Sequence, residues 1–147
     1  MNYKNITVAG SGVLGSQIAF QTAFNGFDVS VYDIDDEALE KAKGRILKLK
    51  PRYQQDLGAS SEQVDAAYNR LTFSSDLKVA VKDADLLIEA VPELVDIKMD
   101  FYKNLAKVAP EKTVFTTNSS TLLPSQFAEA TGRPEKFLAL HFANEIR

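Results

Sequence analysis

Short apolar runs alternate along the chain with longer segments whose apolar residues recur every three to four positions. The runs have the length and residue types of buried strands, and the segments have the period of amphipathic helices. The predicted strands are residues 6–9, 27–32, 71–73, 85–91, 113–117 and 137–140. The predicted helices are residues 14–24, 35–57, 64–71, 75–84, 95–108 and 124–130. This alternation predicts an α/β fold: a doubly wound, mostly parallel sheet with a helical excursion after the second strand.

The first strand leads directly into a glycine-rich loop, Gly10-Ser11-Gly12-Val13-Leu14-Gly15. In such a turn the first glycine makes the bend, the second lets a pyrophosphate approach the backbone, and the third lets helix and strand pack closely. The N–H groups that begin the next helix also favour an anion. Glycine-rich turns occur by chance as well, but here a strand precedes the loop and a helical pattern follows it. We therefore predict a dinucleotide phosphate site formed by Gly10, Gly12, Val13, Leu14 and Gly15.

The second predicted strand ends at Asp33, about 20 residues beyond the glycines, where the dinucleotide fingerprint places an acidic residue. A carboxylate there accepts hydrogen bonds from the adenosine ribose hydroxyls and repels a 2′-phosphate. The sequence therefore favours NAD over NADP as the cofactor. The alternative is that Asp33 only caps the following helix, a task that Asp35 or Asp36 could perform instead.

Composition narrows the class of protein. A chain of 147 residues is expected to form one domain, and 45% hydrophobic with 25% charged residues is ordinary for a globular protein. The absence of cysteine excludes disulfides, thiolate chemistry and cysteine-ligated zinc, and the single histidine leaves little for any metal site. The net charge of -3 argues against nucleic-acid binding. No apolar run approaches a bilayer span and no export signal precedes the first strand, so we expect a cytoplasmic protein.

The long predicted helix, residues 35–57, carries its acidic residues early and its basic residues late, which complements the helix dipole. The pattern is typical of a solvated surface helix, in which Pro51 is expected to end or kink the helix. The alternative is that some of the late cations meet a phosphate group of a ligand.

Further polar residues follow the later predicted strands at their carboxyl ends, where doubly wound sheets bind ligands. They are Glu93, Asn118, Ser119, Ser120, His141 and Asn144. Each could instead serve in a turn, as a helix cap or as an acid at a helix start, but their coincidence at one sheet edge favours a site. An imidazole at His141 titrates near neutral pH and could take a hydroxyl proton while the cofactor accepts a hydride.

Four motifs, in this order, resemble the NAD-binding domain of the L-3-hydroxyacyl-CoA dehydrogenases, a family that includes 3-hydroxybutyryl-CoA dehydrogenases. They are the glycine loop with Asp33, Glu89-Ala90-Val91-Pro92-Glu93, Asn118-Ser119-Ser120 and Leu140-His141-Phe142-Ala143-Asn144. The resemblance covers essentially the whole chain. It implies oxidation of a (3S)-3-hydroxyacyl-CoA to the 3-ketoacyl-CoA with NAD.

The same resemblance implies residue roles. His141 would be the general base, and Ser120 and Asn144 would hold the substrate oxygen and the nicotinamide region. The cofactor would further meet Ala90, Glu93, Lys98 and Asn118. The family also holds a CoA phosphate with basic residues on the helix after the second strand, which fits the region 48–52 without identifying individual residues.

Two departures from the family pattern matter. The family commonly reads His-Phe-Phe-Asn-Pro, whereas Ala143 and Glu145 stand at the second Phe and the Pro, so a divergent subfamily with another substrate is open. The family also continues with a carboxylate that pairs with the histidine and with a helical domain that forms the dimer, whereas this chain stops at Arg147. The expectation is an NAD-binding domain, residues 1–147, of a longer homodimeric enzyme, with little activity alone. The alternatives are a related 3-hydroxy acid or sugar-acid dehydrogenase and a non-catalytic NAD-binding module.

Overall fold

The computed structural model describes residues 3–119 and 122–140. Six strands form one sheet in the order β3-β2-β1-β4-β5-β6, and every neighbouring pair is parallel. The strands are β1 (Asn5–Ala9), β2 (Asp28–Tyr32), β3 (Leu71–Ser74), β4 (Leu86–Glu89), β5 (Val114–Thr117) and β6 (Phe137–Ala139). The helices are α1 (Val13–Phe24), α2 (Asp36–Leu57), α3 (Ser61–Asn69), α4 (Leu77–Ala80) and α5 (Val95–Val108). The predicted doubly wound sheet, with α2 and α3 as the excursion after β2, is confirmed.

The strand order reverses at β1, which pairs with β2 on one side and with β4 on the other. Val8 lies opposite Val31 of β2 and Ile88 of β4. The helix after β1 (α1) and the helix after β4 (α5) pack on opposite faces of the sheet. A crevice therefore opens between the carboxyl ends of these two strands. The fold therefore places the glycine loop at the switch point.

Alternate strand residues face two hydrophobic cores, one on each side of the sheet. Ile6 and Val8 pack with the buried residues of α1, α2 and α3. Leu87 and Phe115 pack with the buried face of α5, where the Tyr102 ring makes an edge contact with Phe137 at 5.1 Å between centroids. Burial on both faces explains why the central strands are nearly continuous apolar runs.

The ends of α2 decide two points that the sequence left open. The Asp35 side chain caps the helix by accepting from the Ala38 N–H at 2.8 Å, so Asp33 is not needed as a cap. Pro51 does not end α2, which continues to Leu57 and stops at Gly58 in a left-handed conformation with φ +67°. Pro51 and the preceding turn at Leu47 are exposed, so water can hydrate the carbonyl that lacks a proline donor.

Two predicted helices are shorter in the structure. The segment 75–84 forms only the one-turn helix α4, because the chain turns again to bring Asp85 into line with the sheet. The segment 124–130 forms only a 3₁₀ turn, Pro124–Gln126, followed by further turns. The predicted strand 85–91 ends at Glu89, since the Val91 N–H donates to the Glu89 side chain at 2.9 Å instead of to a neighbouring strand.

Among the helices within residues 3–119 and 122–140, none combines the length and the apolar character that a bilayer span requires.

Asp85 ties the amino-terminal edge of the sheet together. Its carboxylate accepts from the backbone N–H groups of Lys4 and Asn5 and from the Lys112 ammonium, each at 2.9 Å. The Asn5 N–H bond, then the Lys112 bond and then the Lys4 bond lower the pKa of Asp85 from 3.8 to about 2. A lowered folded-state pKa adds stability above the unfolded value and loses it as the pH falls toward the folded value.

We expect Asp85→Asn to lower the free energy of unfolding at pH 7 by about 1 kcal/mol, because the amide has only one acceptor oxygen and cannot keep all three charge-assisted hydrogen bonds. The difference from the unmodified chain should shrink as the pH falls from about 4 to about 2, the window between the two pKa values. Denaturant unfolding at several pH values measures both effects. Asp83→Asn, at the exposed position two residues earlier, is the matched control and should be neutral. A pH-independent difference would contradict the assignment.

Candidate functional site

The turn from β1 into α1 depends on two glycines that touch backbone directly. Gly10 has φ +98°, and a Cβ there would come within 2.6 Å of the Ala90 carbonyl carbon. A Cβ on Gly15 would come within 2.8 Å of the Gly10 carbonyl carbon. Side chains at these positions would separate the turn, α1 and the end of β4. The first and third glycines therefore close the loop by close packing.

Gly12 has the opposite environment. It is the N-cap residue of α1, and a Cβ there would meet no atom of the described chain within 4 Å. The N-cap has no side chain to cap the first N–H groups of the helix, and the neighbouring Val13 is 66% exposed. The space in front of Gly12 is thus open and faces the positive end of a helix dipole, which suits a phosphate group.

Asp33 follows β2 and is joined to the glycine loop. Its Oδ2 accepts from the Ser11 backbone N–H at 2.9 Å and from the Ser11 hydroxyl at 2.5 Å, while its Oδ1 accepts from the Ile34 N–H at 2.7 Å. The Arg45 guanidinium of α2 donates to the Ser11 carbonyl at 3.1 Å. Asp33 remains half-buried and lines an open cleft of about 320 Å³ with Ser11, Gly12, Asp35, Ala38 and Arg45.

The sequence pattern did not single out Ser11 or Arg45. Ser11 lies between two predicted site glycines, so its place in the loop was a usable signal. Arg45 is one of several late cations of α2, and nothing in the sequence distinguishes it from the others.

On the other side of the glycine loop, β4 and β5 end in a closed ring of polar contacts, here called the Glu89 ring. Its members are Glu89, Lys98, Glu93, Ser119 and Thr117. Lys98 Nζ lies 2.5 Å from Glu89 Oε2 and 2.9 Å from Glu93 Oε1. The Ser119 hydroxyl donates to Glu93 Oε2 at 2.9 Å, and the Ser119 N–H donates to Thr117 Oγ1 at 3.2 Å. Thr117 closes the ring by donating to Glu89 Oε1 at 2.6 Å.

The two charged groups at the base of the ring are buried. Both Glu89 and Lys98 are 0% exposed, and Tyr102 donates a further hydrogen bond to Glu89 Oε1 at 2.9 Å. Burial raises the pKa of Tyr102, and the Glu89 carboxylate raises it further, so the phenol stays protonated and donates. Glu89 therefore satisfies its carboxylate through buried donors, as a charge removed from water must.

Glu89 was not among the predicted site residues. Two features of the sequence could have indicated it. Glu89 is a single acid within an apolar strand, and Lys98 is a lysine on the apolar face of α5. Opposite charges at two buried positions predict an ion pair, but the hydrophobic periodicity of the strand and of the helix does not show that the two side chains are in contact.

The structure brings most of the predicted cofactor residues to this edge. Leu14, Ala90, Glu93, Lys98 and Asn118 line a cavity of about 110 Å³ beside the glycine loop, together with Glu89 and Val91. The Asn118 N–H also donates to the Glu89 carbonyl at 2.9 Å. The predicted catalytic residues Ser120, His141 and Asn144 lie outside the described residues, and their roles stay predictions.

A sequence profile described as "3-hydroxyacyl-CoA dehydrogenase, NAD binding domain" matches residues 5–147. The chain belongs to this family. It is 34% identical over 146 residues to a probable 3-hydroxybutyryl-CoA dehydrogenase of Bacillus subtilis, covering 99% of this chain and 50% of that relative. It is 33% identical over 148 residues to the mitochondrial hydroxyacyl-coenzyme A dehydrogenase of Homo sapiens, covering 97% of this chain and 47% of the relative.

Among solved structures, a diketoreductase described for dual catalysis of dicarbonyl compounds matches with a TM-score of 0.97 and 54% identity. The match covers 99% of this chain and 52% of that chain. The chain thus spans about half the length of the relatives it matches.

NAD is the cofactor of the family, and the site residues fit it. The open space at Gly12 would take the pyrophosphate, and the Asp33 carboxylate at the end of β2 suits the adenosine ribose hydroxyls. The cytoplasmic location expected from the sequence stays a prediction, since the human relative is named mitochondrial.

We expect Gly12→Ala to raise the dissociation constant for NADH by about tenfold or more, because the methyl group would occupy the space that a pyrophosphate needs. The fold should persist, since no neighbour lies within 4 Å, but the thermal midpoint should fall, because alanine is a poorer N-cap than glycine by about 1 kcal/mol. Calorimetric titration and thermal unfolding measure the two quantities.

Gly44→Ala is the matched control, because Gly44 is exposed within α2 and its Cβ position is equally open. It should leave NADH binding unchanged and stabilise the fold by about 0.5–1 kcal/mol. Unchanged NADH affinity in Gly12→Ala would contradict the placement of the pyrophosphate.

Proposed function

We propose that this domain binds NAD for the oxidation of a (3S)-3-hydroxyacyl-CoA to the 3-ketoacyl-CoA. The observation that supports this most is that three environments adjoin the glycine loop: the cleft at Asp33, the open space at Gly12 and the cavity beside Ala90 and Asn118. A dinucleotide needs this sequence of environments: a ribose acceptor, a phosphate cradle and a second nucleoside pocket. The names of the relatives supply the substrate class.

Three residues outside the described ranges would carry the chemistry. In the proposal His141 takes the hydroxyl proton of the substrate, and Ser120 and Asn144 hold the substrate oxygen and the nicotinamide region. Bound NAD supplies the acceptor for the hydride. Ala90, Glu93 and Asn118 would meet its nicotinamide ribose, because Asp33 already takes the adenosine side. Lys98, which is fully buried, would act on the cofactor through its ion pair with Glu93.

We further propose that the active enzyme is a homodimer that adds a helical domain with a carboxylate partner for His141. The further domain is supported by the length of the relatives, of which this chain spans about half, and the homodimer follows from the family resemblance. A carboxylate that orients a catalytic imidazole sets its tautomer and basicity. The domain alone would then bind NAD and turn over little substrate.

The basic face of α2 supports CoA as the carrier. Arg45, Lys48 and Arg52 recur at helical spacing and line a cleft of about 180 Å³ against Val13, Ser16 and Gln17 of α1. Because Arg45 already donates to Ser11, we assign Lys48 and Arg52 to a CoA phosphate. The cleft adjoins the nucleotide cleft, with Arg45 lining both.

A second candidate function is reduction of a dicarbonyl compound without CoA. It is favoured by the 54% identity to the diketoreductase, against 34% to the Bacillus subtilis relative. The departures at Ala143 and Glu145 from the common family motif point in the same direction.

We expect the unmodified chain to bind NADH at least about tenfold more tightly than NADPH, because a 2′-phosphate would meet the Asp33 carboxylate. Asp33→Ala should weaken NADH binding and reduce that ratio. Side-by-side fluorescence titrations measure the affinities, and a Ser11→Ala variant shows how much of the effect comes from the lost hydrogen bond to the loop. Equal affinities of the unmodified chain for both nucleotides would refute the ribose assignment.

In an active enzyme containing this domain, we expect Lys48→Ala with Arg52→Ala to raise KM for 3-hydroxybutyryl-CoA about tenfold with little change in kcat, because uniform binding of a phosphate is lost. KM for free 3-hydroxybutyrate should not change. Lys82→Ala, an exposed lysine after α4, is the control. Turnover of free dicarbonyl compounds with no preference for CoA substrates would instead favour the diketoreductase-like function.

A further inference from the structure

The Glu89 ring joins the two loops that follow β4 and β5. Through Lys98, the Glu89 carboxylate reaches Glu93 in the first loop. Through Thr117 it reaches Ser119 in the second loop, and Glu93 and Ser119 bond directly to each other. The backbone carbonyl of Glu89 also accepts from Asn118. One residue thus holds both walls of the cavity beside the glycine loop.

Stability alone is a weak reason for such an arrangement. Two fully buried charges lose their hydration, and well-packed apolar residues of similar volume commonly stabilise a core as well or better. What apolar residues cannot do is fix the directions of several hydrogen bonds at once. The closed ring fixes the position of Glu93 relative to Ser119.

The cavity lies where a bound dinucleotide would place its nicotinamide half. Asp33 at the end of β2 places the adenosine half on one side of the glycine loop. The nicotinamide ribose must then lie over the ends of β4 and β5, on the other side of the switch point. Glu93, Lys98 and Asn118 line the cavity there.

We propose that Glu89 is the positioning residue for the nicotinamide-ribose half of the cofactor. It acts through Lys98 and Thr117, which set the separation of the loops after β4 and β5, and it does not itself touch the ligand. The proposal rests on the NAD site proposed above. It adds the residue on which the shape of the nicotinamide-ribose part of that site depends.

The test compares two ligands that differ in the half concerned. NADH spans both halves, whereas ADP carries only the adenosine and the two phosphates. Glu89→Gln keeps the shape of the side chain and removes its charge. We expect the dissociation constant for NADH to rise about tenfold and that for ADP to stay within about twofold.

Asp85→Asn is the matched control at the opposite end of the same strand. It removes a carboxylate that ties the amino-terminal edge of the sheet, so it should lower the thermal midpoint without changing either affinity. Thr117→Val is a milder second variant that keeps both buried charges and deletes the hydroxyl that joins Glu89 to the Ser119 N–H. It should raise the NADH constant about threefold, again sparing ADP, and it decides the matter if Glu89→Gln does not fold.

Equal losses of NADH and ADP affinity would show that the ring supports the fold in general and would overturn the proposal. Unchanged NADH affinity in a folded variant would overturn it as well. Failure of the unmodified chain to bind NADH would refute the proposed function itself, and the positioning role with it.

Discussion

Direct contact between backbone segments is the constraint on which the carboxyl edge of the sheet depends. The turn after β1, the first turn of α1 and the residue after β4 meet with no side chain between them. Gly10 and Gly15 permit this, since a methyl group on either would overlap a neighbouring carbonyl. The contact brings the start of α1 to the switch point. The Asp33 carboxylate and the Glu89 ring then lie on opposite sides of one loop.

The two sides of that loop use charge differently. Asp33 is half-buried, keeps an open cleft in front of it and is held in place by Ser11. Such a group can exchange water for ribose hydroxyls at small cost. Glu89 and Lys98 are fully buried, so losing either partner would leave an uncompensated charge, which costs several kcal/mol. The half-buried Asp33, which faces an open cleft, is suited to contact a ligand, whereas the fully buried Glu89–Lys98 pair is suited to fix the shape of the site.

The sequence predicts the sheet well because its strands and helices differ in period and are separated by clear turn signals. The sequence predicts the ends of these elements less well, because tertiary contacts determine them. Pro51 lies within α2 because that turn of the helix is exposed, and the strand of β4 stops at Glu89 because a side chain takes the next N–H. These outcomes depend on neighbours that the local pattern does not contain.

The candidate site shows the same division. The glycines and Asp33 have fixed spacing within one βαβ unit, so local sequence is enough to place them together. The pairing of Glu89 with Lys98, and of Ser119 with Glu93, joins residues from separate elements. Only the docking of α5 and the register of β5 against β4 bring them within hydrogen-bond distance. Arg45 likewise becomes distinct from the other cations of α2 only when it reaches the Ser11 carbonyl.

The central position of β1 has a consequence for biosynthesis. β1 can pair with β2 as soon as β2 is synthesised, but its other neighbour, β4, begins at Leu86. Gly10 packs against Ala90, so the phosphate loop reaches its final packing only after the 80 residues that follow Gly10 have been translated. Pairing across such a separation is slow because loop closure costs entropy before the contact forms. During that interval one edge of β1 is uncovered, and an uncovered strand edge is a site at which another chain can pair.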